Sequence, residues 1–240
     1  MFKKRTLPQE EHDNSFWISY SDILSSLLII ILLVTVYVIY ELMATKQNVV
    51  QNLEEITKAE LVRKETLLDI QEKLKKEGLE VNVADNYSVL RIPESTLSFK
   101  SNTYNIPTQM GKDLANIGKT LLEELKENKR SEFFDTIFIE GHTDIRSSKR
   151  VMGNMGLSTF RAISVWNYWI KNVSKTYANI RNAKGDQLFS LSGYGESRPA
   201  TQVQISEEDY KKNRRIDIRF TLRKPSSEDY NKVLKMFHEN

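Results

Sequence analysis

Asp22 is the one ionisable residue inside the longest apolar run of the chain. The run opens Phe16-Trp17-Ile18-Ser19-Tyr20-Ser21-Asp22-Ile23 and stays uncharged from Ile23 to Tyr40. Those eighteen uncharged residues, at ~1.5 Å rise, cover about 27 Å, and starting at Phe16 lengthens the helix enough to cross a hydrocarbon core of roughly 30 Å. A carboxylate at bilayer depth costs on the order of 3 kcal/mol even on mild scales, and such residues usually face a protein or water-filled interior and mark an ion pathway. The alternative is that Asp22 sits near the headgroups, just past Trp17 and Tyr20, and snorkels.

Other chemistry is scarce. With no cysteine, neither a disulfide framework nor a thiolate metal site is possible. His142 lacks the further His or carboxylate spacing of a metal site and reads as a structural residue. Gly193-Tyr194-Gly195 is a turn rather than a nucleotide loop, because no long Gly-rich stretch opens a helix there. No G-x-S-x-G or Ser/His/Asp ordering suggests hydrolysis. The expectation is a protein that is not an enzyme, with no catalytic residue, resident metal or cofactor. The balance of 35 basic and 32 acidic residues, a net charge of +3, is too mild to argue for nucleic acid.

The elements that position Asp22 follow from charge and period. Lys3, Lys4 and Arg5 precede the apolar run, and Lys46 is the first basic residue after it, so the positive-inside rule places the N-terminus in the cytoplasm. The run is too long for a cleaved signal peptide and has no small-x-small site before Glu41. Residues 16–40 are therefore expected to be an uncleaved, single-pass transmembrane helix, with a cytoplasmic tail at 1–15. In the linker at 41–78, Leu42, Val49, Leu53, Ile56, Leu67, Ile70 and Leu74 recur at helical steps. Glu60 and Arg63 interrupt a strict heptad seam. Two forms fit: a parallel coiled coil continuing the membrane helix of a dimer, or a single amphipathic helix packed on the globular domain. Gly78 suits the left-handed position that ends such a helix.

From Leu79 the period changes to two. Leu79, Val81 and Val83, a turn at Asp85-Asn86, then Val89, Leu90 and Ile92 read as a hairpin. Helices are expected over 108–127 and 157–173, with strands over 135–140, 188–191 and 215–222. The order βαβαβ predicts an α+β domain over 79–223, a mixed sheet with helices packed on it, followed by a charged tail at 224–240.

Two sets of residues resemble known families. Phe16-Trp17-Ile18-Ser19-Tyr20-Ser21-Asp22-Ile23-Leu24-Ser25 resembles the transmembrane signature of the B subunits of ion-driven stators, the MotB-like proteins. There a Trp, a short spacer, an aromatic, a small residue and Asp open the single helix. The resemblance implies that Asp22 carries the translocated ion, H+ or else Na+, with Trp17 and Tyr20 beside its path. It also implies a homodimer inside a ring of five MotA-like or ZorA-like membrane A subunits.

Four further pieces resemble, in order and approximate spacing, the OmpA-like peptidoglycan-binding domain, which is also the periplasmic domain of MotB-like proteins. They are Ile139-Glu140-Gly141-His142-Thr143-Asp144; Asn154 with Leu157-Ser158-Thr159-Phe160-Arg161-Ala162; Gly193-Tyr194-Gly195-Glu196-Ser197-Arg198-Pro199; and Asn213-Arg214-Arg215-Ile216-Asp217. Stem-peptide diaminopimelate presents an ammonium and a carboxylate together. The resemblance gives the ammonium to Asp144, at the end of a strand, and the carboxylate to Arg161, on the following helix; a guanidinium fork suits that carboxylate. Asn154 and Leu157, in the loop between them, would add contacts, and Asn213 and Arg214 would adjoin the groove. The alternatives are that Asp144 caps the loop with Arg161 only bridging to it, and that Asn213-Arg214-Arg215 is a surface basic cluster. One departure from the family is the stretch between Asp144 and Asn154, which is basic and about two residues longer than usual.

Together the resemblances imply a bacterial inner-membrane protein with its C-terminal domain in the periplasm, bound to peptidoglycan. The short chain and its Phe-Trp-Ile-Ser-Tyr-Ser-Asp start are similar to the B component of the Zorya anti-phage defence system. A flagellar stator B subunit and a passive OmpA-like wall tether without ion flow are the rival readings.

Overall fold

The computed structural model describes residues 10–224, with side chains from residue 16 onward. Lys3, Lys4 and Arg5, and the expected tail beyond residue 224, lie outside the described residues. The elements are α1 (Glu10–Lys76), β1 (Asn82–Ala84), β2 (Val89–Pro93), α2 (Gly111–Lys126), β3 (Phe134–His142), α3 (Gly153–Asn172), β4 (Phe189–Gly193), α4 (Glu207–Asn213) and β5 (Arg215–Leu222). One helix, α1, contains both the apolar run and the linker. Its most apolar 18-residue stretch has a mean hydropathy of 2.7, enough in length and composition to cross a membrane.

Residues up to Glu54 and the described residues from Glu55 onward belong to separate compact units. In the second unit the strands form one sheet in the order β1-β2-β5-β3-β4. Only β3 and β4 run parallel, with α3 as the crossover between them. The period of two in β3 and β5 sorts their residues. Ile137, Ile139, Ile216, Ile218 and Phe220 join the apolar core shared with the helices, while Glu140, His142, Arg215, Asp217 and Arg219 occupy the alternate positions. The sheet and α3 approach closely at two glycines. A Cβ at Gly141 would stand 2.0 Å from the Ser158 carbonyl oxygen, and one at Gly193 would stand 2.1 Å from Thr159 Oγ1. Those contacts seat the first turns of α3 beside the ends of β3 and β4.

The linker does not part from the domain at residue 78. Leu67, Ile70 and Leu74 are wholly buried in the core, whereas Leu42, Val49 and Leu53 are exposed. The last turns of the expected coiled coil are therefore a helix packed on the domain, because they cover apolar surface of the sheet and α2 that would otherwise meet water. Charge secures the same contact. Lys73 and Arg130 both donate to the buried Glu124 of α2, and Arg130 Nη2 reaches Asp69 at 2.6 Å. The helix then stops on Gly78, at φ +78°, with Leu79 N–H donating to the Leu74 carbonyl and Gly78 N–H to that of Lys75, both at 3.0 Å.

Two boundaries differ from expectation. Helix α3 starts at Gly153 rather than 157, entered through Met152 and Gly153 at φ +65° and +58°. Asn154 and Leu157 consequently lie in its first turns, not in a loop. Helix α4 was not anticipated. It is held by a capping box in which the Ser206 side chain accepts from the Asp209 N–H and Asp209 returns the bond.

Candidate functional site

The end of β3, the first turns of α3, the residue after β2 and the start of α4 enclose a cleft of about 400 Å³. Five of the six residues expected to bind ligand line it: Asp144, Asn154, Leu157, Arg161 and Arg214. Asn213 does not. It is fully buried, where its Oδ1 accepts from the N–H groups of Ala200 (2.6 Å) and Thr201 (3.1 Å), so it braces that loop. Arg215 beside it is buried and donates to Asp217 at 2.9 Å, so these residues are not a surface basic cluster.

The cleft holds three guanidinium groups in unequal states. Arg214 is bound by Glu94, Asp144 and Glu207; burial would lower its pKa, but the three carboxylates raise it. Arg146 donates to Asp144 from Nη2 at 2.6 Å and to Glu207 from Nη1 at 3.1 Å. Burial would raise the Asp144 carboxyl, yet Arg146 and Arg214 hold it below the usual carboxylate range. Arg161 differs from both. It is 4% exposed, donates from Nε to the Thr103 carbonyl at 3.0 Å, and lies over the Phe99 ring at 4.9 Å from the centroid. Among the described residues no carboxylate pairs with it, and burial pushes its pKa down to about 10. Glu94 and Asp144 act on it only from beyond salt-bridge distance, raising its pKa against burial and Arg214. A guanidinium fork of this kind can receive a carboxylate bidentately.

Asp144 does cap the loop, accepting from the Arg146 N–H at 2.9 Å, but Arg161 does not bridge to it. Asn154 braces the same loop: its Oδ1 accepts from the Ser148 N–H at 2.9 Å. Glu94 and Glu207 are the cleft charges that sequence reasoning passed over, and Arg146 was read only as part of the basic stretch after Asp144. The Ser206-x-x-Asp209 capping signature was available to locate α4 and hence Glu207. Nothing local marks Glu94, whose place depends on the pairing of β2 with β5.

Residues 98–214 match the family model described as the OmpA family. Residues 98–214 are an OmpA-like domain. The fold is similar to a MotB-like protein from Desulfovibrio vulgaris, at 20% identity and a TM-score of 0.52 over 72% of this chain and 99% of that one. It is also similar to the periplasmic domain of Helicobacter pylori MotB, at 21% identity and a TM-score of 0.47 over 66% of this chain and 89% of that one. A third similar structure is the cell wall anchor of the T6SS from Pseudomonas aeruginosa, at 19% identity and 0.46 over 67% and 99%. No curated protein matches the chain.

Next to the cleft, the sheet of the OmpA-like domain carries a buried charge cluster. His142 Nε2 lies 3.6 Å from Asp217 and 3.9 Å from Glu140, and neither ring nitrogen has a hydrogen-bond partner. Glu140, His142 and Asp217 thus form a grouping of metal-ligand type, which the spacing around His142 did not suggest. The carboxylates are already engaged, Glu140 by Arg219 at 2.9 Å and Asp217 by Arg91 at 3.0 Å and Arg215 at 2.9 Å. Three fixed positive charges oppose a divalent cation there. The cluster reads as a structural network in which burial pushes the His142 pKa down and keeps the ring neutral. In the first unit, Asp22 lies on α1 just past an aromatic group in which Trp17 and Tyr20 pack edge-on at 6.3 Å between centroids.

Proposed function

We propose that this chain is the B-type subunit of an ion-driven stator in the bacterial inner membrane. In this reading α1 carries the ion on Asp22, and the OmpA-like domain grips peptidoglycan in the periplasm. The observation that carries the wall-binding part is Arg161, a buried guanidinium with no carboxylate of its own in a cleft that also presents Asp144. Diaminopimelate in a stem peptide offers the complementary carboxylate and ammonium.

Support for the ion-carrying part is the single carboxylate in the apolar run, with Ser19, Ser25 and Ser26 at three- and four-residue steps on the same helix face. Each charge crossing the membrane supplies ~2.3 kcal/mol per 100 mV. A stator also needs partners: a second copy of this chain and a ring of five A-type subunits, with the N-terminus in the cytoplasm and H+ as the ion. The aromatic Phe16-Trp17-Ile18-Ser19-Tyr20-Ser21-Asp22 start favours a Zorya-type defence role over motility. The work done is ion carriage and anchoring, without covalent catalysis.

Co-sedimentation with purified sacculi tests the anchoring. Truncating one partner of a buried charge pair costs ~2–5 kcal/mol, or roughly 30- to 5,000-fold in affinity. Arg161→Ala should therefore remove residues 55–224 from the pellet, while Lys149→Ala, at an exposed and screened charge, should have a small, salt-dependent effect. Undiminished binding by Arg161→Ala would assign the cleft another role.

A further inference from the structure

We propose that Arg146 is an internal counter-cation that fills the ammonium position of the cleft, so that ligand choice in the native chain rests on the carboxylate end at Arg161. The inference rests on the wall-binding reading above. Arg146 meets Asp144 through its backbone N–H (2.9 Å), Nε (3.2 Å) and Nη2 (2.6 Å). Its Nη1 reaches Glu207 at 3.1 Å, and its guanidinium stands 4.2 Å from the Tyr210 ring centroid. The two cations on Asp144 are not equivalent. The Arg214 side chain is 15% exposed and fixed by three carboxylates, whereas the Arg146 side chain is 51% exposed. Arg146 is therefore the one that can swing into water without stranding a buried charge. It belongs to the basic stretch between Asp144 and Asn154.

The consequence is a competition confined to one end of the ligand. An ammonium arriving at Asp144 replaces a guanidinium, so it gains only the difference between two ion pairs. A carboxylate arriving at Arg161 displaces no rival anion and gains a whole charge-assisted pair. A dicarboxylate without amines should then bind the native chain nearly as well as a zwitterion does. Without Arg146, three carboxylates (Glu94, Asp144 and Glu207) share Arg214 alone, and the ammonium becomes decisive.

Calorimetric titration of the full chain in detergent tests this with two probes. One is meso-diaminopimelate; the other is pimelate, which keeps the carbon chain and both carboxylates and lacks both amines. The native chain should bind the two within about threefold of each other. Arg146→Gln should bind diaminopimelate up to about fivefold tighter, the equivalent of one exposed ion pair, and pimelate no tighter than native. Lys149→Gln, which removes an exposed charge from the same stretch, should leave the ratio unchanged. An unchanged ratio in Arg146→Gln, an equal gain for both probes, or the same shift in Lys149→Gln would overturn the proposal. Arg161→Ala separates the two levels: if it abolishes binding while Arg146→Gln behaves as native, only this inference falls. If Arg161→Ala binds both probes as native does, the wall-binding reading falls as well.

Discussion

Replacing Arg161 by Met should leave the ligand-free domain at least as stable as the native one while removing its grip on the wall. The guanidinium is buried with no carboxylate in salt-bridge contact, and the fall of its pKa to about 10, with the distant pull of Glu94 and Asp144 already included, corresponds to on the order of 3 kcal/mol against the charged form at neutral pH. Against that stand the hydrogen bond to Thr103, worth about 1 kcal/mol, and the stack on Phe99, worth about 0.5–1 kcal/mol. Met keeps an apolar contact with the ring. The net change is expected to lie between zero and about +2 kcal/mol, a rise in Tm of up to about 6 °C for a unit of this size. The sign has a pH signature: the cost of the cation is full below its folded-state pKa of about 10 and fades as pH rises through it. Scanning calorimetry of residues 55–224 at pH 7, with sacculus binding on the same samples, gives both readouts. A Tm lowered by more than about 4 °C would refute the reasoning, because it would make Arg161 a structural partner instead of a group held for a ligand.

Leu74→Ala should cost about 2–5 kcal/mol in urea denaturation, and a fragment beginning at Leu79 should lose cooperative unfolding; equal stability of fragments 55–224 and 79–224 would contradict the packing of α1 on the domain. Burial holds His142 neutral in the folded state, so its contribution is full above the unfolded value of about 6.5 and is lost as pH falls from there. One proton gives a limiting slope of about 1.4 kcal/mol per pH unit. Stability should fall from pH 7 to pH 5 in the native chain, by no more than that limiting slope, and the same fall in His142→Gln would point to another group. Asp22→Asn keeps size and removes the titratable proton, so the membrane complex should assemble with its activity abolished; full phage protection or motility would reject Asp22 as the ion carrier.

Much of this was legible in the sequence where local pattern and tertiary need coincide. Strand β5 and helix α2 carry clean periods, and Asp144 and Arg161 sit where the Gly141-containing strand and the Leu157-containing helix had to place them. The fate of Leu67, Ile70 and Leu74 was not legible, because a coiled-coil seam and a helix packed on a domain share one period. What decides between them is the apolar surface of the sheet and the buried Glu124 that draws Lys73 and Arg130 together. Helix α4 escaped notice because its seven residues, Glu207–Asn213, have no apolar stripe and announce themselves only through the Ser206 cap. The charge state of the cleft was hidden for a related reason. Arg214 reaches Asp144 across seventy residues of sequence, and Arg146 reaches it across two, so only the folded chain reveals that Arg161, of the three cleft arginines, has no carboxylate in salt-bridge contact.

The most direct test of the wall-binding claim is a crystal structure of residues 55–224 with a diaminopimelate-containing stem peptide. The ligand carboxylate should lie about 3 Å from the Arg161 Nη atoms, with the ammonium against Asp144 and Arg146 turned away from that carboxylate. A peptide bound outside the cleft, or inside it with Arg161 untouched, would contradict the account.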